Sequence, residues 1–330
     1  LGLIDTLNSG FRLAWRNIWL LTLPVLLDLW LWLGPRWSVK PLVEGLITLW
    51  PTEALPPDML SMAASYQQAL LDASARFNLW WLLGNDLTWL SVLMPGLTDP
   101  ARLGQAAVTE VPVLALLLWV PLLLFIGLGL GSLLLTLLAA RLARVQQDDA
   151  SAESTADLPS SAFWARRGLR TWLLVSLYAL ILLVLLLVVT FLLSLVFTVI
   201  FLVAPQLGAG LSVLGLLLVG WGAVWLYLLF YFVVAAVVSD GTGLLEAFWR
   251  SVNLVTRNFW STVGLAVITV LILNGFGLIW QRLATLSPWG ALAGILGNAF
   301  LLTGLAAARL IFYQDRYALL VDSRVELLNG

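Results

Sequence analysis

The chain has 330 residues, 61% of them hydrophobic and only 11% charged, with a mean hydropathy of +0.98. A soluble domain is roughly a quarter charged, so this composition excludes the ordinary globular class and makes lipid the solvent. A net charge of −1 offers no basic field to nucleic acid, and the chain holds no histidine and no cysteine. It therefore lacks the common ligands of haem, iron–sulfur clusters and zinc, any disulfide, and the imidazole base of most hydrolases.

Residues 1–34 read as an interfacial helix followed by a first span. Ile4, Leu7, Phe11, Ala14 and Ile18 share one helical face, opposite Asp5, Ser9, Arg12 and Arg16, the pattern of a helix lying in the membrane interface. The apolar run 18–34 is expected to be a retained span, since basic residues precede it but no small-residue cleavage motif follows. It is the shortest of the runs and contains Pro24 and Asp28. Pro24 has no N–H for the Leu20 carbonyl, so a kink is expected just below Asp28.

Residues 35–111 form an insert that carries four basic and seven acidic residues and is expected outside the cytoplasm. Pro41, Pro51, Pro56 and Pro57 interrupt its start, SMAASYQQALLDASARF predicts a helix, and 79–98 is too polar at Gly84, Asn85 and Asp86 for a span. That stretch is expected as an interfacial or re-entrant segment.

Residues 112–330 read as the membrane domain. Spans are predicted near 112–138, 172–203, 208–238, 259–280 and 289–313, each meeting the roughly 20 apolar residues a bilayer requires. The apolar runs 111–144 and 171–204, which contain spans two and three, reach about 50 Å at 1.5 Å per residue and are expected to tilt or project. Between them, 146–161 is polar and rich in small residues, a flexible cytoplasmic linker. Gly127/Gly131 and Gly290/Gly294 have the spacing that permits close helix approach. The fold class is therefore all-α: a polytopic transmembrane helical bundle of about six spans with interfacial amphipathic helices.

Twelve of the 17 basic residues fall on one predicted face, Arg12, Arg16, Arg166, Arg167, Arg170, Arg250 and Arg257 among them, which puts both termini in the cytoplasm. LAWRNIW at 13–19 repeats as LVTRNFW at 254–260, each preceded by an amphipathic segment, and AFWARRGLRTWLL before span three offers a looser third copy. Arg16, Asn17, Trp19, Arg257, Asn258 and Trp260 are expected to anchor the chain at the membrane interface, the arginines near phosphates and the tryptophans at headgroup level. This layout of surface helices entering spans through an aromatic–basic–Asn–Trp motif resembles a superfamily of bacterial membrane proteins. It includes the YciC-type and glycerophosphodiester-phosphodiesterase membrane-domain proteins. The resemblance implies an integral membrane domain of the cell envelope and carries over no catalytic residue.

An ionisable group inside a span is a functional candidate by default. Asp28 is the clear case, with Asn298 of span six at comparable depth and Asn274 of span five nearer the outer face. Arg309, near the cytoplasmic end of span six, is expected to snorkel. No nucleotide-binding loop, nucleophile elbow or metal-ligand cluster is present, so no catalytic residue, metal or cofactor is expected. The reading is a non-catalytic accessory, scaffold or assembly component in the bacterial inner membrane, with lipid and possible protein partners and no nucleic acid. The alternative is a permease or exporter subunit using Asp28. A lipid-active enzyme using Asp86 or Asp240 ranks last.

Overall fold

The computed structural model describes residues 2–50, 57–90, 92–93, 107–150 and 161–329. The structure is almost wholly helical: α1 (Leu3–Arg16), α2 (Thr22–Leu33), α3 (Lys40–Thr48), α4 (Pro57–Arg76), α5 (Val113–Ala150), α6 (Ser161–Val203), α7 (Pro205–Leu229), α8 (Val233–Asp240), α9 (Leu244–Arg257), α10 (Phe259–Leu286) and α11 (Pro288–Asn329). Two short strands, β1 (Arg36–Ser38) and β2 (Val108–Glu110), complete it. Among the described residues five helical runs are long and apolar enough to cross a bilayer, and a pair of segments bent by 89°, Leu3–Arg16 and Ile18–Leu33, brings the count to as many as six. The chain is a polytopic helical membrane protein.

The spans differ in how they are used. In the Pro288–Leu320 run, 67% of the apolar window is buried by protein, whereas the windows of Phe163–Ile200 and Val213–Asp240 have none. Hydrophobicity on every side of a helix means burial in protein or in lipid, and these two runs take the second option.

The repeated sequence is a repeated structure. α1 and α9 each have 14 residues, an acid in the first turn (Asp5, Glu246) and an arginine in the last (Arg16, Arg257), both favourable to the helix dipole. Each stops at an asparagine outside helical geometry, Asn17 at φ −129°, ψ 54° and Asn258 at φ −122°, ψ 38°. Asparagine tolerates that exit because its side chain bonds nearby backbone, as Asn258 Nδ2 does to the Leu254 carbonyl at 3.2 Å. The buried positions also coincide: Thr6, Gly10, Leu13 and Ala14 in α1 correspond to Ala247, Ser251, Leu254 and Val255 in α9.

The looser third copy is built otherwise. α6 runs unbroken for 43 residues, from the proposed surface segment straight into the span. Aligning Phe163–Trp164 with Phe248–Trp249 puts Leu173 where the others have asparagine, and leucine is a strong helix former with no side-chain bond to offer a corner.

The expected kink at Pro24 does not form: Pro24 sits in the first turn of α2, where a missing N–H costs little, and α2 runs on unbroken to Leu33. Four 3-10 residues, Ile18–Leu21, and the 12 of α2 together span roughly 26 Å, so the first crossing is short.

The chain divides into two compact units, one of residues 1–13, 135–270 and 305–330 and the other of 14–134 and 271–304. In the second, β1 and β2 pair in parallel, Arg36 with Val108 and Ser38 with Glu110, and so clamp the two ends of the insert together. Within the insert α4 covers the predicted SMAASYQQALLDASARF helix up to Arg76, one residue short of its expected end. A 3-10 turn, Leu79–Leu83, leads into a tight reversal in which Asn85 and Leu90 bond in antiparallel fashion. Asn85 Oδ1 accepts from the Thr88 N–H at 2.9 Å and its hydroxyl at 2.7 Å, so the polar residues that argued against a span build the tip of a hairpin. Pro51, Pro56 and residues 94–98 and 151–160 lie outside the described residues; 146–150 form the end of α5.

Candidate functional site

In the second unit the hairpin at 79–93 packs on glycine faces. A Cβ on Gly127 of α5 would come within 2.5 Å of the Leu83 carbonyl, and one on Gly131 would overlap the Thr88 side chain. Gly294 of α11 gives the same kind of room to the Leu93 side chain, while Gly290 lies against the Leu283 backbone. The glycine spacing in α5 therefore admits a non-helical segment rather than a second helix. Gly127 and Gly131 are midway along the apolar length of α5, so the hairpin docks against the middle of that helix.

Asp28 meets this segment at Leu93. Its residue is 1% exposed; Oδ1 accepts from the Leu93 backbone N–H at 2.9 Å and Oδ2 from Asn298 Nδ2 at 3.5 Å, the long limit of a hydrogen bond. The structure thus brings two of the sequence candidates together and adds a third contributor, a backbone donor 65 positions away. Asn274 lies on an exposed stretch of α10 and Asp86 is exposed at the hairpin tip. Aromatic rings frame the entry: Trp80 packs on Trp30 and Trp37 with centroids 5.6 and 4.5 Å apart, and Trp37 on Trp119 at 4.9 Å.

In the first unit the run 213–240 is broken. The helix stops at Leu229 and restarts at Val233, and Ser251 of α9 satisfies both loose ends: its Oγ donates to the Leu229 carbonyl at 2.7 Å and accepts from the Phe232 N–H at 3.1 Å. Beside the break Arg309 is buried, 8% exposed, its guanidinium carbon 4.1 Å from the Tyr231 ring centre and 5.9 Å from that of Phe232. This corrects the expectation of snorkelling. The arginine turns inward because the break turns aromatic faces toward it, and cation–π attraction replaces part of its lost hydration.

Asp240, at the end of α8, is committed to structure as well. It forms an ion pair with Arg250 and accepts from the Tyr313 hydroxyl at 2.7 Å. Arg250 also pairs with Glu246 one turn earlier and lies 4.6 Å from the Tyr317 ring centre. Burial draws the Arg250 guanidinium down, but the hydrogen bonds to Glu246 and Tyr313 and the charge of Asp240 outweigh it and hold it above the usual arginine range. Arg167 caps α8 from the side, donating to the Val238 carbonyl from Nε at 3.1 Å and Nη2 at 2.8 Å, and to the Ser239 carbonyl.

Of the expected interface residues, Arg16, Trp19, Arg257 and Trp260 are exposed and Asn17 and Asn258 are the half-buried corners. α9 has three faces: Ala247, Ser251, Leu254 and Val255 buried, Leu245 and Trp249 exposed and apolar, Glu246 and Arg257 exposed and charged. That is the division a helix needs between a bundle, lipid and water. No cluster of acids that could hold a metal ion occurs among the described residues. Comparison with protein-family models, curated proteins and solved structures returned no match.

Proposed function

We propose that this chain is a non-catalytic integral component of a bacterial inner membrane, serving as an accessory, scaffold or assembly subunit for protein partners. In this reading both termini are cytoplasmic, the Arg–Asn–Trp corners anchor it at the interface, and it is a distant relative of the YciC-type and glycerophosphodiester-phosphodiesterase membrane domains. The supporting observation is the use to which Asp28 is put. Its carboxylate fastens the hairpin through the Leu93 N–H and meets the Asn298 amide, shut away from solvent. A carboxylate that serves as a transport site exchanges its ligands with an aqueous path, whereas a fastening carboxylate keeps them.

The test is native mass spectrometry of the protein drawn from its own membrane in nanodiscs, for the unaltered chain and for Asp28→Asn. A stoichiometric protein assembly, kept by Asp28→Asn because the amide oxygen still accepts from Leu93, is the expected result. A lone chain retaining a small molecule that Asp28→Asn releases reverses the reading in favour of a permease or exporter subunit.

A further inference from the structure

A cavity of about 320 Å³ opens beside the first turns of α6, lined among others by Arg166, Arg167, Arg170, Thr171, Val237 and Asp240. Three guanidinium groups against one carboxylate, itself paired with Arg250, leave the cavity cationic. The three arginines do different things. Arg167 is held by the α8 carbonyls, which fixes one wall. Arg166 and Arg170 are exposed, and among the described residues neither takes part in an ion pair. They lie four positions apart on one helix, a spacing at which like charges repel, and among the described residues no carboxylate pairs with either.

Phe163, Leu174 and Val237 give the lining an apolar part beside Thr171, and α6 continues past Leu174 as a lipid-exposed span. The cavity therefore has a charged part suited to a bidentate oxyanion and an apolar part leading to the hydrocarbon. Its volume is at the small end for a ligand site, enough for a headgroup and not for a whole lipid. We propose that this cavity binds a phosphate ester, the headgroup of an anionic phospholipid, with Arg166 and Arg170 grasping the phosphate and the acyl chains running along α6. Arginine forks match phosphate geometry, and basic pockets between spans are a known solution for acidic headgroups.

The test uses the full chain in nanodiscs of phosphatidylcholine doped with phosphatidylglycerol, with bound lipid counted by native mass spectrometry. The unaltered chain should retain phosphatidylglycerol over phosphatidylcholine, and Arg166→Ala with Arg170→Ala should weaken that retention about tenfold. Both side chains are exposed, so the double variant should keep its thermal midpoint, and unchanged far-ultraviolet dichroism checks the fold. Arg16→Ala with Arg257→Ala is the control for general attraction to an acidic surface. Equal loss in that control, or no loss in the first variant, overturns the proposal. Soluble glycerol phosphate that displaces the lipid at micromolar concentration overturns the lipid source and assigns the cavity to a free phosphate ester.

Discussion

Ser251 shows how much a single hydroxyl can hold in a membrane. It supplies an acceptor for the Phe232 N–H and a donor for the Leu229 carbonyl, two backbone groups that a broken helix leaves unsatisfied. Ser251→Ala strips both partners at once and should cost about 1–3 kcal/mol for each group left buried and unbonded. Thermal unfolding in one detergent should fall accordingly, and amide exchange at Phe232 should rise well above that of its neighbours. Unchanged exchange at Phe232 would show that the break is held by other contacts. Asp28 and Asn298 were legible in the sequence because depth can be counted from the span ends. The Leu93 N–H was not, since a backbone donor leaves no mark in a residue string. Arg309 was misjudged for the same kind of reason: its environment is set by Tyr231 and Phe232, more than 70 positions away.

The elements repeat where the local chemistry repeats. α1 and α9 share length, end charges, buried positions and an asparagine corner, and all of these are encoded within a dozen residues. α6 lacks the asparagine and runs straight. The glycines tell the opposite story, because their spacing in α5 fitted a helix neighbour as well as it fitted the hairpin that docks there. Gly131→Val should push Thr88 off α5 and destabilise the chain by about 1–3 kcal/mol, the range for overpacking. Gly220→Val, where an added Cβ meets nothing, should be nearly silent. Limited proteolysis of 79–93 in the two variants separates them: faster cleavage is expected in the first only. Equal resistance would mean that the hairpin does not rely on this face.

At the scale of the whole molecule the chain offers a clean topology experiment, since it has no cysteine to remove. Single cysteines at the exposed Asn8 and Ser65 should label on opposite sides of the membrane. A membrane-impermeant maleimide added to intact cells should reach Ser65→Cys at once and Asn8→Cys only after permeabilisation; the reverse order would invert the proposed orientation. The sequence alone determined that this chain lives in lipid, where its long runs cross, and that an Arg–Asn–Trp corner is used twice. These follow from local composition, because about 20 apolar residues must cross whatever the rest of the chain does. Only the tertiary structure decided that the fourth crossing is broken and mended by Ser251, and that the insert sends a hairpin onto the α5 glycines and fastens it to Asp28. Each of those depends on a partner far away in the chain, often a backbone N–H or carbonyl, and burial in a medium without water forces such partners together.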